Sequence, residues 1–264
     1  MRLLFFARKA GFMKKYRQIH GYTFWLALLL LAIISSACTQ STTTAPPSQV
    51  KATPAPRQPI TAQQLLSGPV VYVALGASDA VGIGSAQPGS QGYVPLVSER
   101  LPKGSHVINL GISGIRLHQA LAEELPLVFS TSPNLITIWL VANDFVAGVP
   151  YSSYMQDLDS LLKQLRSGTH ARIIMANLPD LTRLPAFSNL SSSQKSQMLA
   201  EIRHWNAGIA QIAARYAVGV VDLFSQQSQL TAHPEYVSID GFHPSPSGYV
   251  QLANDFWLAI QAGE

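Results

Sequence analysis

Residues 70–85 read VVYVALGASDAVGIGS. An apolar run, Val70 to Leu75, stops at Gly76 and is followed at once by Ala77, Ser78 and Asp79. A short continuous apolar run bounded by glycine predicts a strand buried on both faces, as in a parallel sheet. A serine and an aspartate at the end of such a strand lie where open α/β sheets hold their ligands. Ser78 is therefore either a nucleophile or a turn residue.

The same alternation continues downstream. Strands are predicted over Val70–Leu75, His106–Asn109, Leu135–Leu140, Arg172–Ala176 and Gly219–Asp222. Helices are predicted over Tyr93–Leu101, Ile115–Leu125, Tyr151–Arg166, Ser193–Tyr216 and Pro246–Ala262. Near-continuous apolar strands alternating with amphipathic helices imply a five-stranded parallel sheet covered on both faces. Right-handed crossovers make of it a three-layer α/β/α sandwich.

Upstream the composition changes. Arg2, Arg8, Lys9, Lys14, Lys15 and Arg17 precede an apolar run from Tyr22 to Ile34, and no acidic residue occurs before Cys38. A basic stretch, an apolar run and small residues predict a secretory signal over residues 1–37. The run is shorter than the roughly 20 apolar residues of a permanent span. Cys38 follows directly and is the only cysteine, so no disulfide forms within the chain. The junction resembles a bacterial lipobox, with Ser35 where leucine is usual, which implies a lipidated Cys38 and a membrane anchor. Ordinary cleavage and secretion is the alternative. Residues 39–59 are rich in Thr, Ser, Pro and Ala, so residues 38–68 read as a disordered tether and 69–264 as the folded domain. Beyond Cys38 stand 12 basic and 14 acidic residues, a net charge of about −2. Nucleic-acid binding through a basic surface is not supported by that balance.

The predicted strand ends carry the chemistry. They read GASD, NLGISG, VAND, NLPD and VVDLF, and SIDGFHPSPSGY precedes the last helix. In that last stretch Asp240 can accept from the Nδ1–H of His243, three residues on, leaving Nε2 to take a proton from a serine. Ser78 ranks first as the nucleophile, because Gly76, Gly82 and Gly84 let its hydroxyl stand on a tight turn. Ser113, in GISG, fits an oxyanion-binding loop better. The serines at 191–193 read as a helix cap.

With these blocks in this order, the region from Val70 to Ala262 resembles the SGNH (GDSL-like) hydrolases. The resemblance implies a flavodoxin-like fold and an ester hydrolase working through an acyl-enzyme, without cofactor, on a small-molecule ester or lipid. It implies Ser78 as nucleophile, His243 as base and Asp240 as the third member of the triad. The backbone N–H groups of Ser78 and Gly114 and the Asn143 amide would form the oxyanion hole. Ala77 replaces the family's Asp and Val141 its Gly, neither a reacting group.

The remaining polar residues read as structural. His118, His170 and His204 are expected on the surface or in packing, and His233, in AHPEY, is the rival of His243. Asp144, Asp180 and Asp222 are expected to brace strand-end loops, and Trp139, Trp205 and Trp257 to pack the core. No His/Cys/carboxylate set has metal-ligand spacing. An α/β-hydrolase needs strands ahead of its nucleophile, which this chain lacks, and GASDAVGIG is not the dinucleotide-binding fingerprint. A catalytically inactive, tethered lipid- or glycan-binding module on the same fold is the alternative outside the enzymes. The oligomeric state has no signature in the sequence.

Overall fold

The computed structural model describes residues 57–262, within the unit Ala52–Glu264. The predicted signal segment, Cys38 and the tether up to residue 56 lie outside the described residues. Five strands form: β1 (Val71–Gly76), β2 (His106–Asn109), β3 (Leu135–Trp139), β4 (Arg172–Ala176) and β5 (Gly219–Val221). All pairs are parallel and the order is β2-β1-β3-β4-β5. This is the flavodoxin-like order, in which the chain leaves β1 for one side and returns past it to β3. The connections after β1 and β3 diverge there and leave a crevice beyond the strand ends. Register places Gly76 beside Trp139, so the residues following both strands emerge together.

Helices Tyr93–Ser98 and Pro246–Gln261 pack together on one face, with Tyr93 stacked on Phe256 at 4.8 Å. Helices Leu117–Glu123, Tyr151–Gly168 and Ser192–Arg215 make the other layer. The longest starts where its sequence demands: Ser191 Oγ accepts from Gln194 N–H, and Gln194 Oε1 accepts from Ser191 N–H. β1, β3 and β4 are buried almost throughout, as a sheet covered on both faces requires. β2 departs from that expectation. His106, Val107 and Asn109 are exposed, because β2 is an edge strand and the layers do not reach over it.

The tether ends earlier than its composition suggested. From residue 57 the chain lies on the domain: Ile60 N–H donates to His170 O at 3.0 Å. Thr61 caps a one-turn helix, Ala62–Leu65, and Leu65 is buried. Ile60, Leu65 and Leu66 supply the apolar surface that residues 39–59 lack, which moves the boundary of the domain from 69 to about 57.

Candidate active site

Ser78 opens a one-turn helix, Ser78–Val81, directly beyond β1. Gly82 closes that turn in the left-handed region, at φ +91. The turn is braced from β2, whose Asn109 Nδ2 donates to Ala80 O at 2.6 Å. The chain after β2 keeps pairing with β1, through Leu110 N–H to Ala74 O and Ile112 N–H to Gly76 O. It thereby brings Ile115, the neighbour of Gly114, to a small hollow shared with Ala77, Asp79 and Asn143. Gly114 sits at φ +80, a backbone that any other residue would strain.

Asn143 emerges from β3 in a second short helix, Ala142–Val146. Phe145 anchors that helix edge-on against Trp205 at 5.3 Å. Asp144 ties it to the next layer by accepting from Leu117 N–H at 3.0 Å, and its burial pushes the carboxyl up to about 6. Asn143 Nδ2 donates one hydrogen to Ile115 O at 2.8 Å, which fixes the amide and leaves its second N–H available. Ser78 N–H and Gly114 N–H donate to no other group among the described residues. Helix geometry accounts for the first, since an opening residue has no intrahelical acceptor.

His243 comes from the loop before the last helix. Its Nε2 lies 2.9 Å from Ser78 Oγ, and its Nδ1 lies 2.7 Å from Asp240 Oδ2. An ionised carboxylate only accepts, so in the neutral ring Nδ1 carries the hydrogen and Nε2 accepts from the serine. Asp240 Oδ1 also accepts from the backbone N–H groups of Phe242 and His243. Partial burial opposes ionisation of Asp240, but these donors outweigh it and hold the carboxyl well below the usual range. Gly84, at φ +100, allows the two loops to touch, since a methyl there would lie 2.3 Å from Pro244 O and 3.0 Å from His243 Cβ. The structure thus brings Ser78, Asp240 and His243 together and keeps His233 out. His233 Nδ1 pairs with Glu235 at 2.9 Å and its ring stacks on Tyr236.

The braces expected at the other strand ends are present. Asp180 accepts from Thr182 N–H and from Arg183 Nε–H, and Asp222 accepts from Asn177 Nδ2–H. His118 pairs with Asp157 on the surface and His204 packs on Tyr151. Trp139 does more than pack. It lines a pocket beside His243, together with Asp79, Leu184, Phe242 and Leu252. The strand-end motifs contain Asp79 but do not reveal its place in this pocket, because the lining residues come from segments far apart in sequence.

Glu124 is a second group that the motifs missed. It is 1% exposed beneath the nucleophile turn, and its Oε2 accepts from Gly76 N–H at 3.1 Å. Burial pushes this carboxyl from 4.5 up to about 8, and the Gly76 hydrogen bond pulls back only partly. Between those two values the folded protein keeps a proton that the unfolded chain has released. Stability contributed here is therefore full below about pH 4.5, falls as pH rises, and levels off above about 8. Glu124→Gln keeps an acceptor for Gly76 and does not titrate. Urea midpoints at pH 5 and pH 8 should accordingly differ less in the variant than in the wild type, by a few kcal/mol once converted to free energy. An equal pH dependence in the two proteins would mean that Glu124 is ionised in the fold.

Residues 74–251 match the GDSL-like lipase/acylhydrolase family. No curated protein matches the chain. Among solved structures, TesA is similar at 22% identity and a TM-score of 0.58, over 72% of this chain and 98% of its own. Axe2, an acetylxylan esterase from Geobacillus stearothermophilus, is similar at 22% identity and a TM-score of 0.59, over 75% and 97%. The acetyl xylan esterase AlAXEase is similar at 16% identity and a TM-score of 0.58, over 72% and 100%. At these identities the likeness is one of fold.

Proposed function

Because the chain belongs to the GDSL-like lipase/acylhydrolase family and is an ester hydrolase, we propose that it cleaves carboxylic esters through an acyl-enzyme on Ser78. The observation that carries this reading is the unbroken chain of hydrogen bonds from Ser78 Oγ through His243 to Asp240. In the first half-reaction Ser78 Oγ attacks the ester carbonyl carbon and its proton passes to His243 Nε2. Asp240 stabilises the imidazolium without taking the proton. Ser78 N–H, Gly114 N–H and the free Asn143 N–H receive the charge on the former carbonyl oxygen. The intermediate collapses, the carbon–oxygen bond to the alcohol breaks, and Nε2 returns the proton to the leaving oxygen. Water then enters by the same route and releases the acid.

The site requires an accessible serine made nucleophilic by its neighbour, which a fluorophosphonate probe reads directly. Wild-type protein should be labelled covalently and Ser78→Ala protein should not. An unlabelled wild type would favour the binding module, which has no need of a reactive serine. We place the enzyme at the cell envelope, on the basic and apolar pattern ahead of Cys38. Among the described residues no helix is long and apolar enough to cross a membrane, and the proposed attachment is through Cys38. Mass spectrometry of the membrane fraction tests this: a mature start at Cys38 bearing diacylglyceryl supports it, and an unmodified cysteine or an intact Met1 rejects it. The carbonyl-centred machinery fits any carboxylic ester, and substrate choice belongs to the walls around it.

A further inference from the structure

The wall beside the nucleophile is mostly apolar, built from Trp139, Leu184, Leu223, Phe242 and Leu252, and two carboxyl groups interrupt it, Asp79 and Asp255. Neither Lys nor Arg lines it. The two acids differ in what they already hold. Asp255 Oδ1 accepts from Gln251 Nε2 at 2.9 Å, so it is tied to its own helix. Asp79 is only 7% exposed, yet its carboxyl accepts no hydrogen bond from another residue among the described ones. Its own backbone N–H is the one donor it meets among them, and a nearly buried carboxyl left with unused acceptor sites is a group that something outside the fold can complete. Asp79 directly follows Ser78 and shares the pocket wall with His243. Whatever completes it lies next to the reacting carbon.

We propose that Asp79 is the specificity-determining residue of this pocket, accepting a hydrogen bond from a hydroxyl or ammonium group carried on an otherwise apolar part of the ester. The proposal rests on the ester-hydrolase reading above and names the substrate class for that site. Apolar walls bury the hydrocarbon portion, and Asp79, the acid of the wall that no other side chain engages, selects a polar group on it. Burial pushes Asp79 up to about 6 against the pull of nearby His243, so above that pH the group is a carboxylate. An anionic substrate group would then face like charge with no Lys or Arg among the lining residues to offset it.

The ranking of small pocket ligands tests this without turnover. Dissociation constants of n-butylammonium, butan-1-ol and butanoate are measured at pH 7.5 by chemical-shift titration of the full-length protein and of Asp79→Asn and Asp79→Leu. In wild type, butylammonium or butan-1-ol should bind roughly tenfold or more tightly than butanoate, about the factor that one charge-assisted hydrogen bond supplies. Asp79→Leu should bring the three within about twofold, the residue of apolar contact alone. Asp79→Asn separates the two donors. It keeps an acceptor for the alcohol and loses the charge that holds the ammonium, so whichever ligand weakens identifies the substrate group. Butanoate binding as tightly as the others in wild type, or an unchanged ranking in Asp79→Leu, overturns the proposal. An inactive wild type would instead count against the esterase reading, and the ranking would stand or fall by itself.

Discussion

Ser78→Ala is expected to remove nearly all ester hydrolysis, on the order of 10⁶-fold in kcat, and His243→Ala about as much. The reason is the 2.9 Å contact between Ser78 Oγ and His243 Nε2. Without the ring the hydroxyl keeps its proton, and without the hydroxyl the ring has nothing to activate. The double variant should therefore be scarcely slower than either single one, because the two groups act as a unit. Asp240→Asn should fall short of this, at roughly 10⁴-fold, since the ring loses its orienting charge while the nucleophile remains. His233→Ala serves as the control and should keep the wild-type rate, because its ring is engaged with Glu235 and Tyr236. Initial rates on p-nitrophenyl acetate decide. A double variant far slower than both singles, or a His233→Ala variant without activity, would refute the assignment of the base.

The second large effect concerns Asn143. Asn143→Ala should lower kcat by about 100- to 1,000-fold while KM changes little, since the lost donor acts mainly on the oxyanion of the transition state. The contact with Ile115 O explains why the amide is ready for that task before substrate arrives. It is held by one hydrogen and offers the other. Rates on p-nitrophenyl acetate, run to saturation, separate the outcomes. A raised KM at unchanged kcat would assign Asn143 to ground-state binding, and wild-type kinetics would leave it as a brace for the Ile115 loop.

The sheet was legible because its strands are apolar runs bounded by glycine or polar residues, and the expected and observed strands differ by one residue at four of their ten ends. β1 shifts to Val71–Gly76, and β3 and β5 each stop one residue early, where the chain turns into strand-end structure. Ser78, Asn143, Asp240 and His243 could be read from short motifs, since each sits at or near a strand end or in a proline-stiffened loop and carries its chemistry in neighbouring residues. Glu124 could not. Its meaning lies in a contact with Gly76, 48 residues away, which no local pattern encodes. Asp79 was visible as a residue yet silent as a group, because its burial depends on walls contributed by β3, the loop after β4 and the last helix. The start of the domain was misjudged for a related reason. Two leucines and an isoleucine after a proline-rich stretch acquire meaning only once there is a surface for them to cover.

The two atoms that share the catalytic proton stand 165 residues apart in the chain. Ser78 stands just beyond the first strand of the sheet, while His243 lies in the loop before the final helix, whose Tyr249 hydroxyl donates to Ile83 O behind the nucleophile turn. Closing a contact of such long range costs the entropy of the intervening loop, which the packing of the final helix must offset. A chain whose last segment is undocked holds its nucleophile and its oxyanion donors and is still chemically silent. Hydrolysis thus reports that the two ends of the domain have met.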